Sequence, residues 1–259
     1  MDKPRILHED PSYLIVEKPS GMLVHPVEHV VHPVDPPTSQ EEAAGGLSLA
    51  ELLAAQYPEI AGVGDEPNQR PGIVHRIDRD VSGVLVVARS QASYEHLKRQ
   101  FQDHAVEKHY LALVHGIVQR DDGEITTPLA RSHRPGKAAA PRTDGIGRTA
   151  FTRFTVVQRL QHYTLLDVEI LTGRTHQIRA HLASIGHAIV GDAQYRPKKM
   201  HDNFPRPFLH AASLAFTDAD GNRVQYMCPL PTDLATFLTR QGVDAQESLG
   251  YTARAIQTP

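Results

Sequence analysis

The chain has 259 residues, of which 40% are hydrophobic and 22% charged, and its formal net charge is -3. That length allows one sizeable core and that composition is ordinary for a soluble globular protein. No apolar run reaches bilayer-spanning length, the charged segment Met1–Asp10 lacks the apolar centre of a signal peptide, and the lone Cys228 excludes an intrachain disulfide and a cysteine metal cluster. A reducing cytoplasm is the expected compartment.

Arg5–Asp10 and Tyr13–Lys18 read as two short strands joined at Asp10-Pro11-Ser12. Pro19-Ser20-Gly21 is a turn, and the Pro-, Glu-, Ala- and Gly-rich residues 26–46 form a surface loop with no function legible in it. Ser48 with Glu51 three residues on is a capping box, so a helix with Leu49, Leu52 and Leu53 on its apolar side starts there and stops at Pro58. The apolar, β-branched run 84–88 is a buried strand. Ser90 caps a second helix reaching about His104, with Tyr94, Leu97 and Phe101 on one face.

Lys108–Gly116 reads as a strand opened by Tyr110, a residue whose commonest role there is core packing. Asp121-Asp122-Gly123 suggests a turn and Glu124–Leu129 a strand. The Pro- and Gly-rich residues 131–148 suggest one long loop. Phe151–Val157 and Tyr163–Leu171 form a hairpin, with Leu166, Val168 and Ile170 facing away from Asp167 and Glu169. His176–Ile185 has helix periodicity, Ile178, Leu182 and Ile185 making its apolar face, Arg179 flanking that face, and Gly186 ending it. Phe208–Phe216 and Arg223–Met227 are the last strands, and Thr232–Arg240 is a closing helix. Strand-helix alternation is absent, so the expected fold is α+β: one domain over 1–259, core about 5–240 with a loose tail from 242, built on a large, mostly antiparallel sheet with flanking helices.

Charge is unevenly distributed. No Lys or Arg occurs between Pro19 and Gln69, whereas Arg131–Arg153 holds six bases against the single acid Asp144. A second basic stretch, 194–207, carries Arg196, Lys198, Lys199 and Arg206. A near-neutral total can therefore conceal a basic working face.

The densest polar cluster is Pro71–Ala88, where His75, Arg76, Asp78, Arg79 and Asp80 lie between a Pro-Gly turn and the buried strand. Charges pressed against a buried strand are costly unless paired or used, so a structural ion-pair network and a reactive site both fit these residue types. No phosphate-binding glycine loop or serine nucleophile elbow is present, and His176 and His181, five apart, do not share a helix face as zinc ligands would. An Asp, an Arg from a distant helix and a Tyr, set among basic loops, suit chemistry on a nucleotide within RNA.

The chain resembles the pseudouridine synthases of the RluA type. The pattern His-Arg-Leu-Asp-x-x-Thr-Ser-Gly is met by His75–Gly83, with Ile77 for Leu and Val81 for Thr. Lys-x-Tyr-x-Ala-x-Val-x-Gly is met by Lys108, Tyr110, Ala112, Val114 and Gly116. Gly-Arg-Thr-His-Gln-Ile-Arg-x-His runs without a gap from Gly173 to His181, followed by Gly186-His187 and Gly191-Asp192. Lys18-Pro19-Ser20-Gly21 and Leu209-His210-Ala211 complete the series in the family's order, over roughly 5–232.

The resemblance implies a pseudouridine-synthase catalytic domain with a central RNA-binding cleft, no cofactor, no metal, and an rRNA or tRNA substrate; the S4 RNA-binding domain that many relatives carry is expected to be absent, a departure from them. It casts Asp78 as the essential carboxylate, Arg179 as the base paired with it, and Tyr110 as the aromatic that stacks on the flipped base. Arg76 matches the residue that enters the stack, and Leu209 lines the pocket floor. Arg174, His176 and Lys108 are RNA-backbone or supporting groups, and Arg134, Lys137 and Arg142 are candidate phosphate contacts in the 131–148 loop. A monomer with no obligate protein partner and no membrane contact is expected. A hydrolase of glycosidic bonds in RNA, which needs a second carboxylate, and a catalytically idle RNA-binding module are the competing readings.

Overall fold

The computed structural model describes residues 3–26, 46–131, 139–141, 147–197 and 204–243. The elements are strands β1 (Arg5–Glu9) and β2 (Tyr13–Lys18), helix α1 (Leu49–Gln56), strand β3 (Ser82–Ala88), helix α2 (Gln91–Gln102), and strands β4 (Glu107–His115), β5 (Asp122–Ile125), β6 (Leu129–Arg131), β7 (Ala139–Pro141), β8 (Thr152–Arg159) and β9 (Tyr163–Ile170). Helix α3 (Gln177–Ser184), strands β10 (Leu209–Thr217) and β11 (Arg223–Met227), and helix α4 (Thr232–Arg240) follow.

The main sheet runs β1-β2-β3-β10-β4-β9-β8-β5, and β11 joins it beside β10. All its pairings are antiparallel except β3 with β10, which is parallel and limited to His210–Ser82 and Ala211–Gly83. Strands β3, β4 and β10 are buried along almost their whole length, because the sheet centre is covered on both faces and alternation is lost there. Gly83 has φ 134°, and a Cβ there would strike the carbonyl oxygen, nitrogen and Cβ of Ala211. The glycine lets the two strands meet where their parallel contact begins.

Helix starts follow the sequence. Ser48 and Glu51 form both arms of a capping box at α1, and Ser90 with Ser93 does the same at α2. Three expectations are corrected, and the expected facing of β9 holds with one polar side chain buried. Asp122 and Gly123 belong to β5, paired with Thr155 and Phe154, so the turn lies earlier. Residues 139–141 of the supposed loop are a strand paired with β6. Ile185 lies past the end of α3 and is 42% exposed. The side of β9 opposite Leu166 buries Asp167, which accepts a hydrogen bond from His109 Nδ1 at 3.0 Å.

His210 fixes the sheet centre. Its Nε2 donates to the Cys228 carbonyl at 3.1 Å, which leaves Nδ1 to accept from the Ser82 hydroxyl at 2.9 Å. Burial pushes its pKa down to about 4, against the weaker upward pull of the Cys228 carbonyl. The unfolded chain protonates this side chain below pH 6.5 while the folded chain resists until about 4. Its stabilising contribution is therefore complete above 6.5 and lost as pH falls toward 4, at up to about 1.4 kcal/mol per pH unit. Urea midpoints measured from pH 7 to 4.5 should fall in this way, and His210→Gln should flatten the slope.

Candidate active site

The segment from Gly72 to Ala88 doubles back on itself. Residues 72–75 run along the part of β3 that β10 leaves uncovered: Ala88 N donates to the Gly72 carbonyl at 2.9 Å, and Ile73 bridges Val87. The His75 imidazole stands in for a strand partner, its Nε2 accepting from Val86 N at 3.1 Å. Residues 76–81 form the tip of this hairpin, with Ile77 and Val81 buried on either side of Asp78.

The tip is clamped by the 18–22 turn. Lys18, fully buried, donates from Nζ to the carbonyls of Pro19, Met22 and Arg79 at 2.8, 2.9 and 2.9 Å. Gly21 N also donates to the Arg79 carbonyl, and Arg79 Nε donates back to Gly21 O at 3.1 Å. Burial pushes the Lys18 pKa down to about 7, opposed by the charges of Asp80 and Asp78. Arg79 thus ties the hairpin tip to the 18–22 turn.

The Asp78 side chain is 19% exposed and faces a cleft of about 90 Å³ lined by Arg76, Tyr110, Ile170, Arg174, His176, Arg179 and Leu209 among others. Arg179 Nη1 lies 3.4 Å from Asp78 Oδ2, and His176 Nε2 lies 3.8 Å from the same oxygen. Arg179 reaches Asp78 from α3, 101 residues away in sequence. Its short contacts go elsewhere. Nε and Nη2 form a fork onto Asp192 at 2.7 and 2.9 Å, and Nη2 also donates to Gln194 Oε1 at 2.9 Å. The guanidinium lies 5.2 Å from the Tyr195 ring centroid. Burial works against its charge, but the hydrogen bonds and charge of Asp192, then the charge of Asp78, raise its pKa above the usual arginine value.

Asp192 is fully buried, and its Oδ1 also accepts from the backbone N–H groups of Gln194 and Tyr195. The preceding Gly191 has φ 78°, and a Cβ there would overlap the Arg206 carbonyl, so only glycine brings the chain this close. Asp192 and Tyr195 are the members of the site that residue-type reasoning missed. The single trace was the Gly-Asp pair after α3, which carried no role.

His176 is the N-cap of α3 and not its first turn, held at φ 53°. Its Nδ1 lies 3.2 Å from the Tyr195 hydroxyl. Tyr110 is buried on β4 between Ala211 and Val168, and burial together with the Asp78 charge raises its pKa, so it is a neutral phenol. Leu209 opens β10 and is 3% exposed. Arg76 is exposed, its Nη1 3.3 Å from His25 Nε2. Arg174 donates from Nε to the Thr149 carbonyl at 3.0 Å.

The structure therefore brings Asp78, Arg179, Tyr110, Arg76, Leu209, Arg174 and His176 to one cleft, with Lys108 just beyond Tyr110 on the same strand. Arg134, Lys137 and Arg142 lie outside the described residues, as do Lys198 and Lys199. Arg206 is not a loose basic group, since Asp233 of α4 accepts from its Nε and Nη2 at 2.6 and 3.0 Å.

The sequence pattern of the family described as RNA pseudouridylate synthase matches residues 12–184. The chain belongs to this family. Pseudouridine synthases are isomerases, and the matched span contains Asp78, Tyr110 and Arg179. The chain is 38% identical over 236 residues to the RNA pseudouridine synthase YlyB of Bacillus subtilis (strain 168), covering 90% of this chain and 71% of that protein. It is 37% identical over 240 residues to the ribosomal large subunit pseudouridine synthase D of Zymomonas mobilis, covering 88% and 70%. Among solved structures it superposes on human RNA pseudouridylate synthase domain containing 4 with a TM-score of 0.70 at 21% identity, over 92% of each chain. Human RNA pseudouridylate synthase domain containing 1 gives 0.68 at 23% identity, over 88% of this chain and 84% of that one. At these identities the structural likeness bears on the fold, and the large, mostly antiparallel sheet with its flanking helices is that of pseudouridine synthase domains.

Proposed function

We propose that this synthase isomerises uridine in ribosomal or transfer RNA, with Asp78 as the essential carboxylate. The convergence of Asp78, Arg179 and Tyr110 on one cleft carries this reading. Asp78 acts on the ribose of an extruded uridine, by attack or by taking a proton. The N1–C1′ bond breaks, uracil turns within the cleft, C5 bonds to C1′, and the C5 proton passes to N1, so the product is an isomer and nothing is consumed. Arg179 aims the carboxylate. The neutral Tyr110 ring stacks on the base, and Leu209 forms the floor. Arg76, exposed at the cleft mouth, occupies the gap left by the extruded nucleotide. Arg174 and His176 hold the adjacent backbone.

Large-subunit ribosomal RNA is the first substrate to test, because relatives such as the Zymomonas protein carry that target in their names. Incubation of an unmodified large-subunit rRNA transcript with the protein should convert uridine to pseudouridine with no free uracil. Release of free uracil would instead identify a hydrolase, and intact uridine despite RNA binding would identify an idle module.

A further inference from the structure

A second concavity, about 560 Å³, adjoins the cleft and shares Arg76, Tyr110 and Arg174 with it. Its cationic lining residues Arg70, Arg76, Lys98, Lys108 and Arg174 face a single lining carboxylate, Asp65. Two of these cations are already paired: Lys98 with Asp65 at 2.7 Å, and Arg70 with Glu66 at 3.1 Å. Lys108 differs from them. It is only 7% exposed, and its ammonium makes no hydrogen bond or ion pair to any described residue. The acid that acts on it electrostatically, Glu169, is held by Arg153 Nη1 at 2.7 Å. Burial accordingly pushes the Lys108 pKa down to about 8.

A buried ammonium without an anion, opening into a groove, costs stability unless a ligand completes it. The groove offers more than charge. Phe101, part-exposed near the end of α2, lies 5.6 Å from Lys108 Nζ and is backed by His75, stacked at 4.4 Å and 23°. A part-exposed ring with a cation over it suits a base and the sugar-phosphate chain of a single strand. Lys108 and Tyr110, two residues apart on β4, point to the same side of the sheet about 6–7 Å apart. A group seated on Lys108 therefore lies next to a base stacked on Tyr110.

We propose that this groove is a second nucleotide subsite: the phosphodiester beside the target uridine seats on the Lys108 ammonium, and the neighbouring base lies against Phe101. This rests on the RNA-substrate reading above. It makes Lys108 and Phe101 determinants of how the strand next to the uridine is held.

The test uses fluorescein-labelled decauridylate, titrated by anisotropy at several KCl concentrations against the wild-type protein, Lys108→Met and Lys108→Arg. Lys108→Met should bind about tenfold more weakly and lower the slope of log K against log salt by about 0.7, the value for one phosphate on a single strand. Lys108→Arg should keep the slope. Phe101→Ala should weaken binding and leave the slope unchanged. A second arm needs no protein variant. A decamer with one central uridine and neutral methylphosphonates at the linkages flanking it should bind the wild-type protein about tenfold more weakly than its phosphodiester parent. An unchanged slope in Lys108→Met, or indifference of the wild-type protein to the neutral linkages, overturns the subsite. If isomerisation persists in that case, the catalytic reading stands without it.

Discussion

Asp78→Asn is expected to abolish pseudouridine formation, lowering turnover by roughly four orders of magnitude or more, the scale seen when an essential catalytic group is removed. The substitution is nearly isosteric, and Asp78 is not what holds its own loop. The hairpin tip is tied by Lys18, Gly21 and Arg79 through backbone carbonyls, and by the buried Ile77 and Val81. Stability and RNA affinity should therefore stay near wild type. Turnover of a uridine-containing RNA, urea denaturation and RNA binding measured on one preparation separate these properties. Substantial turnover in the variant would remove Asp78 from the mechanism.

Asp192→Ala should have the second-largest effect, on two properties at once. The change strips the fork from a guanidinium whose side chain is 5% exposed. Breaking a buried pair by removing one partner typically costs about 3–5 kcal/mol, because the surviving charge stays buried. Arg179 would then have Asp78 as its nearest remaining carboxylate, at 3.4 Å, and would be drawn onto it. Urea unfolding should show the lost stability, and kinetics a fall in kcat larger than the rise in KM, since the carboxylate would be misdirected while the RNA surface is intact. Replacing both partners, Arg179→Met with Asp192→Asn, whose amide oxygen can still accept from the Gln194 and Tyr195 N–H groups, should restore part of the stability without restoring turnover. If turnover returned with stability, Arg179 would be a structural residue only.

Much of the fold was legible because its signals are local. The cap residues Ser48 and Ser90, the apolar runs of β3 and β10 and the hairpin β8–β9 each lie within a few residues of one another. The failures arose where tertiary partners override local pattern. Asp122-Gly123 has turn chemistry, yet pairs with Thr155 and Phe154 of β8. Asp167 is polar and sits in a strand, yet is buried because His109 answers it from β4. The site divides in the same way. Asp78, Tyr110 and Arg179 were picked out through resemblance, since no periodicity brings residues from three distant segments together. Asp192 escaped because its importance lies in a fork to Arg179, and a Gly-Asp pair after a helix looks like any other turn.

The position of β10 also has a consequence for how the protein is made. It is inserted between β3 and β4, both synthesised far earlier, and it carries Leu209 of the cleft lining and His210, which joins Ser82 across 128 residues. On the ribosome, β3 and β4 must wait with their facing edges unpaired, an arrangement that invites wrong partners. Pairing at such long range is slow. The Asp78 hairpin, clamped by residues 18–22, can form early, but the cleft it faces is complete only after β10 has emerged with Leu209.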